Sequence, residues 1–314
     1  MAPRVLVSER IAARGIDALR DAGYEVDERL GLTPDELIDA VQGASALIIR
    51  SATRVTADVL DAGSDLVVVG RAGIGLDNVD VEAATRRGVM VVNAPQSNVL
   101  SAAEHTVALL LAQARNIPQA HADLKAGEWN RSRWEGVELH GKTLGIVGLG
   151  RVGVLVAQRA LSFGMRLLAY DPYVSTDRAR QLGVQLVPDL GDLLAEADFV
   201  TIHLPKTRET IGLIDAEMLA RAKPTLRLIN TARGAIVDEA ALVDELVSGR
   251  ISAGLDVFAD EPSVPERLLD LPNVVLTPHI ASATVETRAA MTRVLVENVL
   301  AFLRGEPLLN EVCA

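Results

Sequence analysis

The chain has 314 residues, enough for two domains, and 49% of them are hydrophobic, which excludes a disordered or fibrous protein. Its 42 acidic and 31 basic residues give a net charge of −11, which argues against a nucleic-acid-binding protein. The single cysteine, Cys313, excludes an intrachain disulfide and a cysteine-rich zinc site, so we expect a cytoplasmic protein that holds no metal.

Short apolar runs alternate with amphipathic stretches over the first hundred residues. Strands are predicted at 5–7, 46–50, 66–71 and 89–94, and helices at 11–22, 56–62 and 80–87. Because strands buried on both faces have continuous apolar runs, this alternation predicts a parallel sheet with helices around it.

The middle of the chain differs from this pattern. A longer helix is predicted at 101–116, where Ser101 and Glu104 have the spacing of a capping box. The segment 117–140, called the arm below, contains both tryptophans and no clear period, so we expect it to be irregular.

The alternation resumes at 144 and ends in a helix predicted from about 284 to 303. Six further strands are predicted, at 144–148, 166–170, 199–204, 226–231, 253–258 and 274–278. The longest apolar stretch, "TVALLLA" at 106–112, is too short to span a membrane.

The stretch "LGIVGLGRVG" (144–153) places G-x-G-x-x-G between a predicted strand and a predicted helix. In this pattern Gly148 permits the tight turn, Gly150 lets the backbone approach a pyrophosphate, and Gly153 lets the helix pack on the strand. The N–H groups of Arg151 and Val152 at the positive end of the helix then face the phosphates. The motif predicts a dinucleotide site.

Asp171 ends the next predicted strand, 23 positions after Gly148. Its carboxylate can accept hydrogen bonds from the ribose hydroxyls, and its charge repels the 2′-phosphate of NADP. We therefore predict NAD as the cofactor. Because the motif begins so late, the first hundred residues must form a separate domain.

Three polar residues follow three further predicted strands: Arg233, Glu261 and His279. In open parallel sheets the carboxyl ends of the strands are where ligands bind. Each residue alone is more often a surface or structural group. Together, beside a dinucleotide, they indicate a catalytic site.

Four motifs in this order, "GLGRVG", "ARGAIVDE", "LDVFADEP" and "PHIASAT", resemble the D-isomer-specific 2-hydroxyacid dehydrogenases. The resemblance implies that Arg233 binds the substrate carboxylate, that His279 is the acid/base and that Glu261 pairs with it. It also implies contacts to adenosine and nicotinamide, from His203, Leu204, Pro205, Thr231, Ala232 and Asp256.

The N-terminal half resembles the branch of this family that acts on D-3-phosphoglycerate, through "RSATRVTADVL", "VVGRAGIGLDNVDVEAATRRG" and "NAPQSNVLSAAEH". This implies NAD-dependent oxidation to 3-phosphohydroxypyruvate for serine biosynthesis. Substrate contacts are expected from Arg50 and Ser51, from the backbone of Ala72, Gly73, Ile74 and Gly75, and from Arg131 of the arm, which can reach the neighbouring subunit.

The expected architecture is α/β, with two Rossmann-like parallel-sheet domains. An NAD-binding domain (99–286) is inserted into a flavodoxin-like substrate or lid domain (1–98 plus 287–314). We expect a homodimer or homotetramer built on the arm and the 101–116 helix, with no nucleic-acid or membrane partner.

Two other functions remain open. "PHIASAT" departs from the usual phosphoglycerate motif and, with "ENVLAFLRGEPL", looks more like the glyoxylate/hydroxypyruvate reductases. A non-enzymatic NAD-sensing binding protein is the alternative of a different class, because fold alone does not determine function.

Overall fold

The computed structural model describes residues 3–95, 97–308 and 311–312, the last two by their backbone. Cys313 lies outside the described residues. The chain divides into two compact units: Met1–Asn98 with Ser282–Ala314, here the split unit, and Val99–Ala281, here the inserted unit.

The first part of the split unit forms a sheet of five parallel strands in the order β5-β4-β3-β1-β2. The strands are β1 (Arg4–Val7), β2 (Glu25–Glu28), β3 (Ala46–Ile49), β4 (Val68–Arg71) and β5 (Met90–Asn93). The helices are α1 (Ala13–Asp21), α2 (Pro34–Val41), α3 (Ala57–Ala62) and α4 (Val81–Arg86). This is the flavodoxin-like strand order that was expected.

The inserted unit contains a sheet of seven parallel strands within the described residues. Its strands are β6 (Thr143–Val147), β7 (Arg166–Tyr170), β8 (Gln185–Leu186), β9 (Phe199–Ile202), β10 (Arg227–Asn230), β11 (Ser252–Leu255) and β12 (Val274–Leu276). Its helices are α5 (Val99–Arg115), α6 (Ile117–Lys125), α7 (Arg151–Ser162), α8 (Thr176–Gln181), α9 (Leu190–Glu196), α10 (Ala216–Arg221), α11 (Glu239–Val247) and α12 (Glu266–Leu269).

The strand order of this second sheet is β12-β11-β10-β9-β6-β7-β8. The chain adds β7 and β8 on one side of β6 and β9 to β12 on the other, so the topological switch point lies between β6 and β9. In doubly wound sheets, ligands bind at this place. The α/β prediction with two parallel sheets is confirmed.

The chain returns to the split unit through α13 (Val285–Leu303), and β13 (Glu311–Val312) pairs antiparallel with β5. Leu295 and Val299 of α13 are buried against β4. A Cβ on Gly70 would come within 2.9 Å of both side chains. Glycine at this position therefore lets α13 lie close to the sheet. Each fully buried Leu or Val contributes about 1.5–3 kcal/mol relative to an exposed one.

The structure corrects several predicted elements. The arm is not irregular throughout, because it contains α6 and a 3₁₀ turn at Arg131–Trp134. The helix predicted from 101 begins at Val99, so Ser101 is buried within it and the predicted capping box is wrong. A capping box does occur at Thr33 and Glu36 of α2.

The sequence reading did not find α2, β2 or β8. Within the described residues, no helix is both long enough and apolar enough to cross a membrane.

Candidate active site

The glycine motif forms the turn between β6 and α7. Gly148 has φ +95°, a conformation that favours glycine, and a Cβ there would lie 2.9 Å from the carbonyl oxygen of His203. A Cβ on Gly153 would lie 2.2 Å from the carbonyl oxygen of Gly148. The turn therefore needs Gly148, and the first turn of α7 needs Gly153. At Gly150 the Cβ direction is open, with no atom within 4 Å.

The start of α7 offers backbone donors. Gly150 is its N-cap and supplies no side-chain hydrogen bond, so the helix begins without a capping side chain. Arg151 and Val152 are the first two residues of this helix end. The positive end of a helix with unused N–H groups suits a phosphate.

Asp171 lies directly beside this turn. Its Oδ2 accepts the Leu149 N–H at 2.8 Å, and its Oδ1 accepts the Tyr173 N–H at 2.9 Å. Each carboxylate oxygen keeps a further lone pair. The strand end thus places an acceptor next to the glycine turn, where a ribose would follow a bound pyrophosphate.

The segment His203–Pro205 follows β9 and packs against the glycine turn through Gly148. His203 Nε2 and Thr201 Oγ1 share a hydrogen bond at 2.9 Å, in which either atom can be the donor. Burial lowers the pKa of His203 to about 3. The ring is therefore neutral near pH 7, which fits a loop residue rather than a proton-transfer group.

The turn after β10 presents Arg233. Asn230, buried at the end of the strand, accepts the Ala232 N–H through Oδ1 and donates through Nδ2 to the Arg233 carbonyl, both at 3.0 Å. Thr231 shares a 2.7 Å hydrogen bond with Thr106 of α5. The sequence reading missed Asn230 and Thr106. An asparagine that ends an apolar strand before a turn was the available signal.

Gly234 brings the Arg233 turn close to the loop that carries Glu261. A Cβ on Gly234 would lie 2.0 Å from the Phe258 carbonyl carbon and 2.5 Å from the Ala259 nitrogen. The loop itself is held by the Phe258 N–H, which donates to Glu261 Oε1 at 3.1 Å. Two loops that are distant in sequence therefore meet backbone to backbone.

His279 and Glu261 form a hydrogen-bonded pair. His279 Nδ1 lies 2.6 Å from Glu261 Oε2, and both side chains are about one-third exposed (35% and 34%). Burial raises the pKa of Glu261, but the hydrogen bond and charge of His279, the Phe258 N–H and the charge of Arg233 outweigh it and lower the pKa. Glu261 therefore stays ionised and stabilises a protonated imidazole.

Asp256 lies beneath the His279 turn. Its carboxylate is fully buried and accepts the N–H groups of Ile280 (2.8 Å) and Ala281 (2.9 Å) and the Thr277 hydroxyl (2.5 Å). Burial raises its pKa, but hydrogen bonds from His105, Thr277 and this backbone lower it overall. The network holds a turn in which His279 has φ +51°. With no exposed surface, Asp256 supports the turn here, and its expected contact with nicotinamide stays a prediction.

The expected substrate residues of the split unit lie at the carboxyl ends of its strands. Arg50 and Ser51 follow β3. The turn after β4 departs from expectation, since the Ala72 N–H donates to Ile49 O (2.8 Å) and the Gly73 N–H to Arg71 O (2.9 Å). These two N–H groups serve the sheet and the turn, so they are not presented to a ligand in this structure. Ile74 and Gly75 are partly exposed.

In the arm, Arg131 begins the 3₁₀ turn and is exposed. Arg133 stacks over the Trp134 ring at 4.8 Å, and the indole N–H donates to Asp123 at 2.8 Å. Among the described residues, no cluster of His, Cys, Asp and Glu suits a metal ion.

Comparison with known proteins identifies the family of the chain. Residues 107–281 match the model of the D-isomer specific 2-hydroxyacid dehydrogenase, NAD binding domain. The chain is 53% identical over 305 residues to a D-3-phosphoglycerate dehydrogenase of Mycobacterium tuberculosis, covering 97% of this chain and 57% of that protein. It is 47% identical over 311 residues to one of Archaeoglobus fulgidus, covering 98% and 59%. The chain thus spans somewhat less than three fifths of these curated relatives.

Solved structures agree on the fold. A protein of Thermus thermophilus superposes with a TM-score of 0.91 at 41% identity, covering 98% of this chain and 99% of that one. An NADPH-dependent glyoxylate/hydroxypyruvate reductase of Sinorhizobium meliloti superposes with a TM-score of 0.85 at 34% identity, covering 99% and 97%. The family resemblance and the inserted NAD-binding domain predicted from the sequence are confirmed.

Proposed function

Because the chain belongs to the D-isomer specific 2-hydroxyacid dehydrogenases, we propose that it oxidises D-3-phosphoglycerate to 3-phosphohydroxypyruvate with NAD. The observation that carries the chemistry is the Glu261–His279 pair at 2.6 Å, with Arg233 close enough for its charge to act on Glu261. The observation that favours this substrate is the 46–53% identity to D-3-phosphoglycerate dehydrogenases over nearly the whole chain.

NAD, when bound, supplies the acceptor for the hydride from C2 of the substrate. Arg233 would bind the substrate carboxylate through its planar donor fork. His279 would accept the proton of the 2-hydroxyl group during oxidation and return it during reduction. Glu261 would hold the ring of His279 and stabilise the proton that it has accepted.

The cofactor would lie on the glycine turn of the inserted unit. The uncapped start of α7 and the open Cβ direction of Gly150 suit a pyrophosphate, and Asp171 suits the ribose hydroxyls. The 2′-phosphate of NADP would meet the Asp171 carboxylate, so NAD is the preferred cofactor. His203, Leu204, Pro205, Thr231 and Ala232 would line the remaining length of the cofactor.

The phosphate of the substrate would be bound by Arg50 and Ser51, together with Arg131 of a second subunit. A surface with a net charge of −11 does not attract an anion without a local cluster of arginines. Two arginine–phosphate contacts, each worth about 1.5–3 kcal/mol, would separate a phosphorylated keto acid from hydroxypyruvate by two orders of magnitude or more.

A reductase of glyoxylate or hydroxypyruvate is the second candidate. The superposition on the Sinorhizobium meliloti reductase and the "PHIASAT" sequence at residues 278–284 favour it. Its chemistry uses the same Arg233, Glu261 and His279, so only the substrate and the cofactor separate the two functions.

One set of rate measurements tests both. The specificity constants for 3-phosphohydroxypyruvate, hydroxypyruvate and glyoxylate are measured with NADH and NADPH, for the wild type and Arg50→Ala. We expect the phosphorylated acid and NADH to be preferred, and Arg50→Ala to raise KM for that acid alone. Preference for hydroxypyruvate or glyoxylate would establish the reductase, and equal use of NADPH would remove the role of Asp171.

A further inference from the structure

The turn at Arg50–Thr53 is held by a carboxylate from another strand end. Glu9, which follows β1, accepts the N–H of Arg50 at 2.8 Å and that of Thr53 at 2.9 Å through Oε1. Its Oε2 accepts the Ala52 N–H at 3.2 Å. Three backbone donors of one short turn thus converge on a single side chain.

Two carbonyl groups of the same turn are held by a second side chain. Asn78 Nδ2 donates to the carbonyl oxygens of Arg50 and Thr53, both at 2.7 Å. Asn78 belongs to the segment after β4, so it also links the two loops expected to bind substrate. The Thr53 hydroxyl lies 2.9 Å from the Ser8 hydroxyl.

Successive N–H groups that point into one concavity form a typical anion site. Here the protein's own carboxylate fills that concavity, so the N–H groups of Arg50, Ala52 and Thr53 are not available to a substrate anion. What the turn presents to a ligand is its side chains, chiefly the guanidinium of Arg50 and the hydroxyl of Ser51.

We propose that Glu9 is a positioning residue for substrate binding: its carboxylate fixes the Arg50–Thr53 turn so that Arg50 and Ser51 are presented to the substrate phosphate. The inference rests on the proposed function, because it assumes that Arg50 contacts substrate. Glu9 itself makes no contact with the substrate and takes no part in the chemistry.

The carboxylate matters in this arrangement, and not only the length of the side chain. Both of its oxygens accept, so together they satisfy three N–H donors. The amide of Glu9→Gln keeps one accepting oxygen and turns an NH₂ group towards a backbone donor. Glu9→Gln should therefore have an intermediate effect, and Glu9→Ala the full one.

The test compares Glu9→Ala and Glu9→Gln with the wild type, with 3-phosphohydroxypyruvate and NADH as the substrates. Asp65→Ala, which removes one exposed carboxylate of the same unit, is the charge control. We expect KM for the keto acid to rise at least about ten-fold in Glu9→Ala, the effect of losing a charged hydrogen bond, and less in Glu9→Gln. The kcat value and the NADH affinity should stay within about two-fold of the wild-type values, a small change beside the roughly ten-fold rise in KM.

Hydrogen exchange at the amides of Arg50, Ala52 and Thr53 gives a second readout that needs no activity. Exchange at these amides should become faster in Glu9→Ala and stay unchanged in Asp65→Ala. Unchanged exchange, or faster exchange with an unchanged KM, overturns the proposal. A lower KM also overturns it, because Glu9 would then be blocking an anion site. A wild type that prefers hydroxypyruvate or glyoxylate to 3-phosphohydroxypyruvate, or that reduces none of these three acids, would instead overturn the proposed function.

Discussion

Among single residues, Glu261 influences the proposed chemistry through its charge. Its pKa is lowered, so it remains a carboxylate at neutral pH and favours a proton on His279. Glu261→Gln removes that charge, so the ring is protonated less readily and the acid limb of the oxidation rate should move to lower pH.

His279→Ala should lower turnover by about 10²–10⁴, the usual contribution of a placed acid/base group. NADH binding, measured by fluorescence titration, should change little.

A normal rate in His279→Ala would contradict this assignment. A pH–rate profile that is the same in Glu261→Gln as in the wild type would contradict the role of Glu261. Glu266→Gln, an exposed glutamate at the start of α12, is the matched control for the loss of one charge.

We predict that His203 makes the stability of the inserted unit depend on pH. Its pKa is lowered from 6.5 to about 3 by burial, so the unfolded chain binds this proton more readily than the folded chain does. Stability from this group is therefore complete above about pH 6.5 and falls as the pH decreases towards 3, by at most about 1.4 kcal/mol per pH unit. Urea unfolding at pH 7 and pH 5 should show a smaller loss in His203→Gln than in the wild type.

An equal loss in both proteins would mean that His203 is exposed to solvent. His121 of α6 is exposed, so His121→Gln is the control for the loss of one imidazole.

Candidate site residues were predictable where they follow strands. Arg233, Glu261 and His279 were grouped because parallel strands bring their carboxyl ends to one edge, and their catalytic roles stay predictions. The support beneath them was not predictable in the same way. Asn230 and the His105–Asp256–Thr277 network depend on the conformation of turns, which apolar periodicity does not encode.

At the scale of elements, the close approach of the Arg233 turn and the Glu261 loop depends on Gly234. A Cβ there would lie 2.0 Å from the Phe258 backbone, so the alanine variant must push the two loops apart. We expect Gly234→Ala to lower the free energy of unfolding by about 1–3 kcal/mol, as for an overpacked site. It should also reduce kcat at least about ten-fold, because small displacements of placed groups are costly to the rate.

Gly145→Ala in β6 is the matched control. Its Cβ would crowd the Leu193 side chain in the core, without touching either loop. It should lose stability but keep the activity of the folded fraction. If Gly234→Ala loses only stability as well, the contact between the loops has no catalytic role.

Two elements that the sequence analysis missed, β2 and α6, lack a clear apolar pattern. The edge strand β2 reads "EVDE", with charged residues that are typical of edges and no apolar run. The helix α6 has no buried residue among those described, so no apolar stripe marks it. The strands with continuous apolar runs, such as β3 and β9, were predicted because burial on both faces leaves a clear pattern.

At the scale of the whole molecule, the arm is the surface on which we predict assembly. Within the 101–116 helix, Ala103, Leu109 and Leu110 are buried in the core of the inserted unit, and its part in assembly stays a prediction. The arm itself carries exposed large apolar side chains, with Trp129 at 76%, Leu124 at 56% and Ile117 at 53%, although others lie elsewhere, such as Val285 at 81%.

Large exposed apolar side chains of this kind usually mark a contact, and tryptophan is enriched among the residues that dominate binding energy. A second copy of the chain is the expected partner, since Arg131 in the same segment is proposed to reach its substrate site. We predict at least a dimer in sedimentation at micromolar concentration. Trp129→Ala should weaken it by at least about 2 kcal/mol, near thirty-fold in the dissociation constant.

Tyr173→Ala, which removes a side chain that is 95% exposed and lies outside the arm, should leave the dimer intact. Weaker assembly in Trp129→Ala should also raise KM for the phosphorylated acid, because Arg131 would be supplied less often. A monomeric wild type would contradict both the dimer and the shared phosphate site. A dimer that Trp129→Ala does not weaken would place the interface elsewhere on the molecule.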